Sequence, residues 1–155
     1  MRPPNTTHAS RPNATTKAPR VSVILPTYNR AWIIEEAVAS VLAQTFPDFE
    51  LIVVDDGSTD DTRTRLSRYG DRVRYFYQRN QGVSAARNTG MQHATGGLIA
   101  LLDSDDLWKP AKLARQVAFF DADPKVRICQ TEELWFRRGQ RVNPKRRHRK
   151  PSGWI

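Results

Sequence analysis

The feature that most constrains this chain is a set of short, near-continuous apolar runs that end abruptly in polar clusters. Val21–Leu25 stops at Pro26, Phe49–Val54 runs straight into Asp55-Asp56-Gly57-Ser58, and Leu98–Leu102 runs into Asp103-Ser104-Asp105-Asp106. A strand with one wet face alternates apolar and polar residues. A strand that is apolar throughout belongs inside a parallel sheet covered on both faces. Val73–Tyr77 reads as another strand, and Val126–Phe136 as a fifth extended segment, followed by a turn at Arg138-Gly139-Gln140.

Between these runs the period changes. In Trp32–Gln44, residues Ile34, Val38, Val41 and Leu42 recur at helical spacing, with Glu35 and Glu36 in the first turn where the helix dipole favours acids. Ser58 and Asp61 have capping-box-like spacing and predict a helix over Asp60–Tyr69. Ser84–Ala94 is a third helical stretch, stopped by Gly96-Gly97, and Pro110 suits the first turn of a fourth that reaches Phe120. Strands and helices that alternate in this way predict an α/β fold with a Rossmann-like, mostly parallel sheet and helices on both faces. Ligands of such sheets bind at the carboxyl ends of the strands. The polar clusters Pro26–Arg30, Asp55–Ser58 and Asp103–Asp106 all fall there.

Charge narrows the partners. The 155 residues carry a net charge of +9, but between Arg20 and Phe136 there are 14 Lys/Arg against all 16 Asp/Glu. The positive excess sits in the two ends, so net charge says little about what the body binds. The single cysteine, Cys129, excludes an intramolecular disulfide and a thiolate metal cluster, and suits a packed thiol in a reducing compartment. No stretch approaches the roughly 20 apolar residues of a membrane span, and the N-terminus lacks the apolar core of a secretory signal. The sequon at Asn13 carries no weight without a secretory context. Residues 1–19, rich in Pro, Thr, Asn and Ala, are expected to be a disordered tail. Residues 20–136 form the expected domain, and 137–155 a basic C-terminal segment.

Three constellations carry chemistry. Asp103, Asp105 and Asp106 place three carboxylates within four residues; they repel one another unless a cation binds, and a hard divalent ion bridging carboxylate and diphosphate oxygens relieves that. The competing reading is a solvated turn with Asp106 capping the next helix. At Asp55-Asp56-Gly57-Ser58 a carboxylate can accept a hydrogen bond from the N3–H of a uracil; ordinary strand-to-helix turn chemistry is the alternative. In Gly82–Gly90 the small residues permit close approach of helix to sheet or ligand. Arg87 can reach a diphosphate, or pair with Asp103 or Asp105.

Four segments, VSVILPTYNR, ELIVVDDGSTDDT, NQGVSAARNTG and LIALLDSDDLWKPAKL, together resemble family 2 of the glycosyltransferases, with the GT-A fold, in order and spacing from Val21 to about Ala122. The resemblance implies a nucleotide-diphospho-sugar donor, with a UDP-sugar favoured, a divalent cation, manganese or magnesium, and inverting transfer to an acceptor hydroxyl in polysaccharide or glycoconjugate synthesis. Carried over by position, Pro26, Thr27 and Tyr28 line the base and ribose pocket, and Asp55 or Asp56 contacts the base, with Asp55 preferred. Arg87 sits near the ribose or diphosphate, Asp103 lies toward the ribose, and Asp105 ligates the metal in a DxD-like motif. The resemblance also implies work on the cytoplasmic side; peripheral contact with the membrane's inner face is a reading of the basic C-terminal segment alone.

In this family a carboxylate base follows well beyond the DxD strand. After Asp123 the only acids are Glu132 and Glu133, weak candidates for that base. The sequence therefore reads as a sheet incomplete at the C-terminus, with 137–155 as the start of a missing acceptor-side region. A truncated, non-catalytic nucleotide-binding remnant is the alternative. Arg137–Lys150 reads as a solvated hairpin, with membrane contact through 137–150, an acceptor phosphate or nucleic acid as other readings of its charge. A basic nucleic-acid-binding protein is the third alternative; dinucleotide redox chemistry is disfavoured because no GxGxxG follows the first strand. His8, His93 and His148 lack metal-ligand spacing and carry no assigned role.

Overall fold

The computed structural model describes residues 17–142. Expectations placed on 1–16, including most of the N-terminal tail, and on 143–155, including most of the basic segment and its membrane contact, lie outside the described residues. The chain divides into two units, one ending at Ala114 and one beginning at Arg115, within a helix.

In the first unit, β1 (Val21–Thr27), β2 (Phe49–Asp55), β3 (Arg74–Tyr77) and β4 (Leu98–Leu101) form one sheet in the order β3-β2-β1-β4, every pair parallel. The fold is α/β and Rossmann-like, as the apolar runs require. All seven residues of β1 are buried. Each fully buried Val, Leu or Ile side chain contributes roughly 1.5–3 kcal/mol of transfer free energy, so the central strand anchors the unit.

The helices are α1 (Ile34–Leu42), α2 (Thr62–Ser67), α3 (Val83–His93) and α4 (Lys112–Ala122). Helix α1 buries Ile34, Val38 and Val41 of the predicted stripe, with Ala37 in place of Leu42. Its Glu35 accepts from Arg65 of α2 at 2.6 Å and from Arg68 at 3.3 Å, tying the two helices together. Helix α3 packs on the other face, where Ile52, Val54 and Ala86 form a buried cluster with Phe76 against it. Gly90 is required there: a Cβ on it would overlap the Ile24 side chain. The small residues of this helix therefore serve close packing on β1.

At the amino rim of the sheet, Glu50 gathers Ser22 Oγ at 2.5 Å, Thr95 N and Thr95 Oγ1 at 2.7 Å each, and the Arg74 guanidinium. Burial opposes its ionisation, but these donors outweigh it and hold the carboxyl at about 2. The node fixes the Gly96 turn, whose N–H also donates to Ser22 Oγ at 2.8 Å.

Two expectations need correction. The helix predicted over Asp60–Tyr69 is the shorter α2, and Ser58 does not cap it: Asp60 Oδ1 accepts from Thr62 N–H at 3.0 Å and Oγ1–H at 2.6 Å, while Ser58 is engaged elsewhere. The fifth extended segment, Val126–Phe136, is not a sheet strand. Only its end forms β5 (Trp135–Arg137), paired antiparallel with β6 (Gln140–Val142) in a hairpin of the second unit. The cause is composition: Arg127, Gln130, Thr131, Glu132 and Glu133 interrupt the run, and Ile128 is 82% exposed, so the segment has no continuous apolar face to bury. In the same unit Cys129 is a half-buried free thiol. Among the described residues no helix is long and apolar enough to cross a membrane.

Candidate functional site

The sheet register decides whether the three polar clusters meet. Thr27 pairs with Asp55 and Asp55 with Tyr77, while Ile24 pairs with Leu101 and its carbonyl accepts from Leu102 N–H at 3.0 Å. Asp103 therefore leaves β4 at the level of Pro26. The loops after β2, β1 and β4 emerge side by side on one rim. The chain order reverses direction between β1 and β4, which is the crevice where open parallel sheets bind ligands.

The β1 and β2 ends are pinned together. Thr27 O accepts from Asp56 N–H at 2.8 Å. Asp55 is buried; its Oδ1 accepts from Ser58 N–H at 2.8 Å and its Oδ2 from Tyr75 O–H at 2.6 Å. Burial and then the Asp55 carboxylate push the Tyr75 phenol far above its ordinary value, so Tyr75 stays a donor. Asp56 is buried as well and accepts three hydrogen bonds: Gln78 Nε2 at 2.7 Å and Gln81 N–H at 2.9 Å on Oδ1, and Gly82 N–H at 2.7 Å on Oδ2. Gly82 precedes α3, so Asp56 fixes the start of that helix. Gly57 makes the turn with φ 86° against Asn80, where a side chain would collide with backbone.

The β4 end differs. Asp103 Oδ1 accepts from Arg87 Nη2 at 2.5 Å, with the Asp103 side chain about half exposed. The pairing foreseen as one option for Arg87 is thus the one present. Asp105 is exposed beside it. Among the described residues no three His, Cys, Asp or Glu side chains form a metal cage. A divalent ion still fits this donor set when a diphosphate and water complete its shell, as hard cations bound through one or two carboxylates and substrate phosphates require.

Of the residues singled out, Pro26 and Thr27 are buried at the end of β1 and Tyr28 is 46% exposed on the rim. Asp55, Asp56, Arg87, Asp103 and Asp105 share that rim. Glu132 and Glu133 lie exposed in the second unit, ahead of β5. Two buried polar atoms at this rim lack a hydrogen-bond partner, Thr27 Oγ1 and Arg87 Nε. Buried polar groups are rarely left so, and such an atom at a strand end is what a polar ligand satisfies. Sequence reasoning passed over Asn29, Asp60, Thr62 and Gln78, which hold the rim together. Asn29 had a signal, since Asn is among the residues that tolerate left-handed backbone, and its φ is 51°.

Comparison with known proteins fits this geometry. The sequence profile of the family described as "Glycosyl transferase family 2" matches residues 22–153. A glycosyltransferase of Rickettsia felis is 49% identical over 105 residues, which are 66% of this chain and 17% of that protein. The crystal structure of S. aureus TarS 1–349 in complex with UDP-GlcNAc superimposes with a TM-score of 0.61 at 34% identity, over 66% of this chain and 31% of that one. The mannosyltransferase PcManGT from Pyrobaculum calidifontis, in complex with GDP-Man and Mn2+, gives 0.64 at 38% identity over 72% and 34%. The chain thus spans between about a sixth and about a third of the lengths of these proteins.

Proposed function

The chain belongs to glycosyltransferase family 2, and we propose that it binds a nucleotide-diphospho-sugar and a divalent cation at the carboxyl rim, for inverting transfer of the sugar to an acceptor hydroxyl in polysaccharide or glycoconjugate synthesis. The observation that carries this reading is the register that sets Thr27, Asp55 and Asp103 side by side. UDP is the favoured nucleotide, since the TarS neighbour is in complex with UDP-GlcNAc.

In this reading Pro26, Thr27 and Tyr28 receive the base and ribose, and the orphan Thr27 hydroxyl finds its partner there. Asp55 takes the base N–H, because two of its four acceptor positions are already used against three for Asp56. Arg87 turns its unpaired Nε–H and its charge toward the diphosphate, and Asp103 orients Arg87 while facing the ribose. Asp105 holds the cation, manganese or magnesium. The bound ion neutralises charge gathering on the leaving nucleoside diphosphate. Deprotonating the acceptor needs a carboxylate. Asp55 and Asp56, the carboxylates at the end of β2, are buried and already accept hydrogen bonds, so Glu132 and Glu133 are the acids to test for that role. Action on the cytoplasmic side, where activated sugars are made, belongs to the same proposal.

Calorimetric titration of the whole chain with UDP, with and without manganese, tests the reading. Manganese is expected to tighten UDP binding, and Asp105→Ala to abolish that gain. Manganese-dependent UDP affinity that survives Asp105→Ala sinks the site assignment. Donor hydrolysis or transfer by the chain, lost in Glu132→Gln or Glu133→Gln, tests the base.

A further inference from the structure

Six hydrogen bonds join the end of β1 and the segment after it to the segment after β2, Thr59 Oγ1–H to Asn29 Oδ1 at 3.4 Å among them. Besides Asp56 N–H to Thr27 O, Asn29 N–H donates to Ser58 Oγ at 2.8 Å, and Thr59 N–H donates back to Asn29 Oδ1 at 2.8 Å. Arg30 N–H donates to Thr62 Oγ1 at 3.2 Å and Ala31 N–H to Asp60 Oδ2 at 3.0 Å. Each runs between residues about 30 apart in sequence, and five use a side chain of the short polar type that satisfies loop backbone. Asn29 is the centre of this lock. Its left-handed backbone turns the chain so that its own N–H and side-chain oxygen both face the β2 loop.

Tyr28 sits between Thr27 and Asn29 and is therefore held on both sides, yet its own side chain is 46% exposed on the rim. A half-exposed aromatic on an untethered loop would sample many orientations and lose that freedom on binding, which weakens affinity. We propose that Asn29, with Ser58, is a positioning residue: the reciprocal pair sets Tyr28 and Thr27 in the ligand-ready arrangement before the nucleotide arrives. The inference rests on the nucleotide site proposed above.

The test separates the lock from general stability. Asn29→Gly keeps the left-handed φ free of strain but removes the acceptor for Thr59 N–H, and Ser58→Ala removes the acceptor for Asn29 N–H. The double variant of the whole chain is titrated with UDP and manganese at a temperature where circular dichroism shows it folded. About tenfold weaker binding is expected, while Asn29→Asp, which retains the acceptor, stays within about twofold of wild type. Arg74→Ala, at the opposite rim, serves as a destabilised control and should leave UDP affinity unchanged. Wild-type affinity in the double variant overturns the lock, as does an equal loss in Arg74→Ala. Absence of UDP binding by the wild-type chain overturns the nucleotide site itself, and the lock with it.

Discussion

The two halves of the carboxyl rim are built on different terms. On the β1–β2 side most polar groups are already partnered: Asp55 and Asp56 are buried with five donors between them, the adjoining loops are tied by reciprocal side-chain to backbone bonds, and the Thr27 hydroxyl alone among these buried groups stands without a partner. On the β4 side one ion pair, Arg87–Asp103, spans a half-exposed surface and Asp105 stands in solvent. The first half is largely built before a ligand arrives. The second holds three acids within four residues, one of them paired with Arg87, and in the proposed reading a cation completes it. Geometry fixed in advance suits a planar base read by hydrogen bonds. A carboxylate cluster left incomplete suits an ion that arrives with its diphosphate and brings its own oxygen ligands.

The sharpest way to break this contrast is to remove a carboxylate from the first half. Asp56→Ala removes the buried acceptor shared by Gln78 Nε2 and the N–H groups of Gln81 and Gly82. A hydrogen bond to a charged group contributes about 1.5–3 kcal/mol; water can take over part of that at the exposed Gln81 and Gly82, so denaturant unfolding should show a loss of about 3 kcal/mol, with the start of α3 loosened. Wild-type stability in this variant would mean that the β2 side is no more committed than the β4 side.

Acid attacks the same framework. The folded-state carboxyl of Glu50 is held at about 2 against an ordinary 4.5. A depressed pKa contributes stability that is complete above the unfolded value and fades as pH falls toward the folded one. Up to about 3 kcal/mol is at stake, lost between about pH 4.5 and 2. Asp60, in the lock, shifts in the same direction, because bonds from Thr62 and Ala31 outweigh its burial. Glu50→Gln should flatten the acid limb of stability against pH, and an unchanged limb would show that the amino-rim node contributes little.

How much of this was legible in the sequence follows from the length scale of each feature. Short apolar runs such as Val21–Leu25 and Phe49–Val54 announce buried parallel strands, and the polar clusters that follow them announce a rim, since both signals are local. Segment 126–136 failed because hydrophobic residues there share no face, and composition alone did not reveal that Ile128 would be exposed. The site carboxylates were legible by position; their division of labour was not. That Asp56 accepts from the start of α3, or that Asn29 donates to Ser58 and accepts from Thr59 some 30 residues away, depends on register between strands, which no local pattern encodes. The resemblance located the rim, and the register explains why its two sides differ.

Arg87→Lys probes the half-built side. Lysine keeps the charge but lacks the planar fork and the Nε–H. The ion pair with Asp103 is partly exposed, so its loss should cost no more than about 1 kcal/mol of stability. UDP affinity in manganese should fall several-fold, because a point charge meets the diphosphate with fewer directed bonds. A stability loss as large as that of Asp56→Ala would place Arg87 with the framework instead of with the ligand.

The smallest effect expected is the most diagnostic. Asp105 is exposed, and the neighbouring carboxylates of Asp103 and Asp106 carry the same sign. Exposed substitutions away from caps, cavities and networks usually move stability by less than about 0.5 kcal/mol. Removing one of three like charges also relieves repulsion at low ionic strength. Asp105→Ala without ligand should therefore leave the unfolding midpoint unchanged or slightly raised, with any gain vanishing in salt. A residue whose removal helps the empty protein is one whose place is maintained by what it binds. A clear loss of stability would instead make Asp105 a structural turn residue, and the two halves of the rim would then be alike.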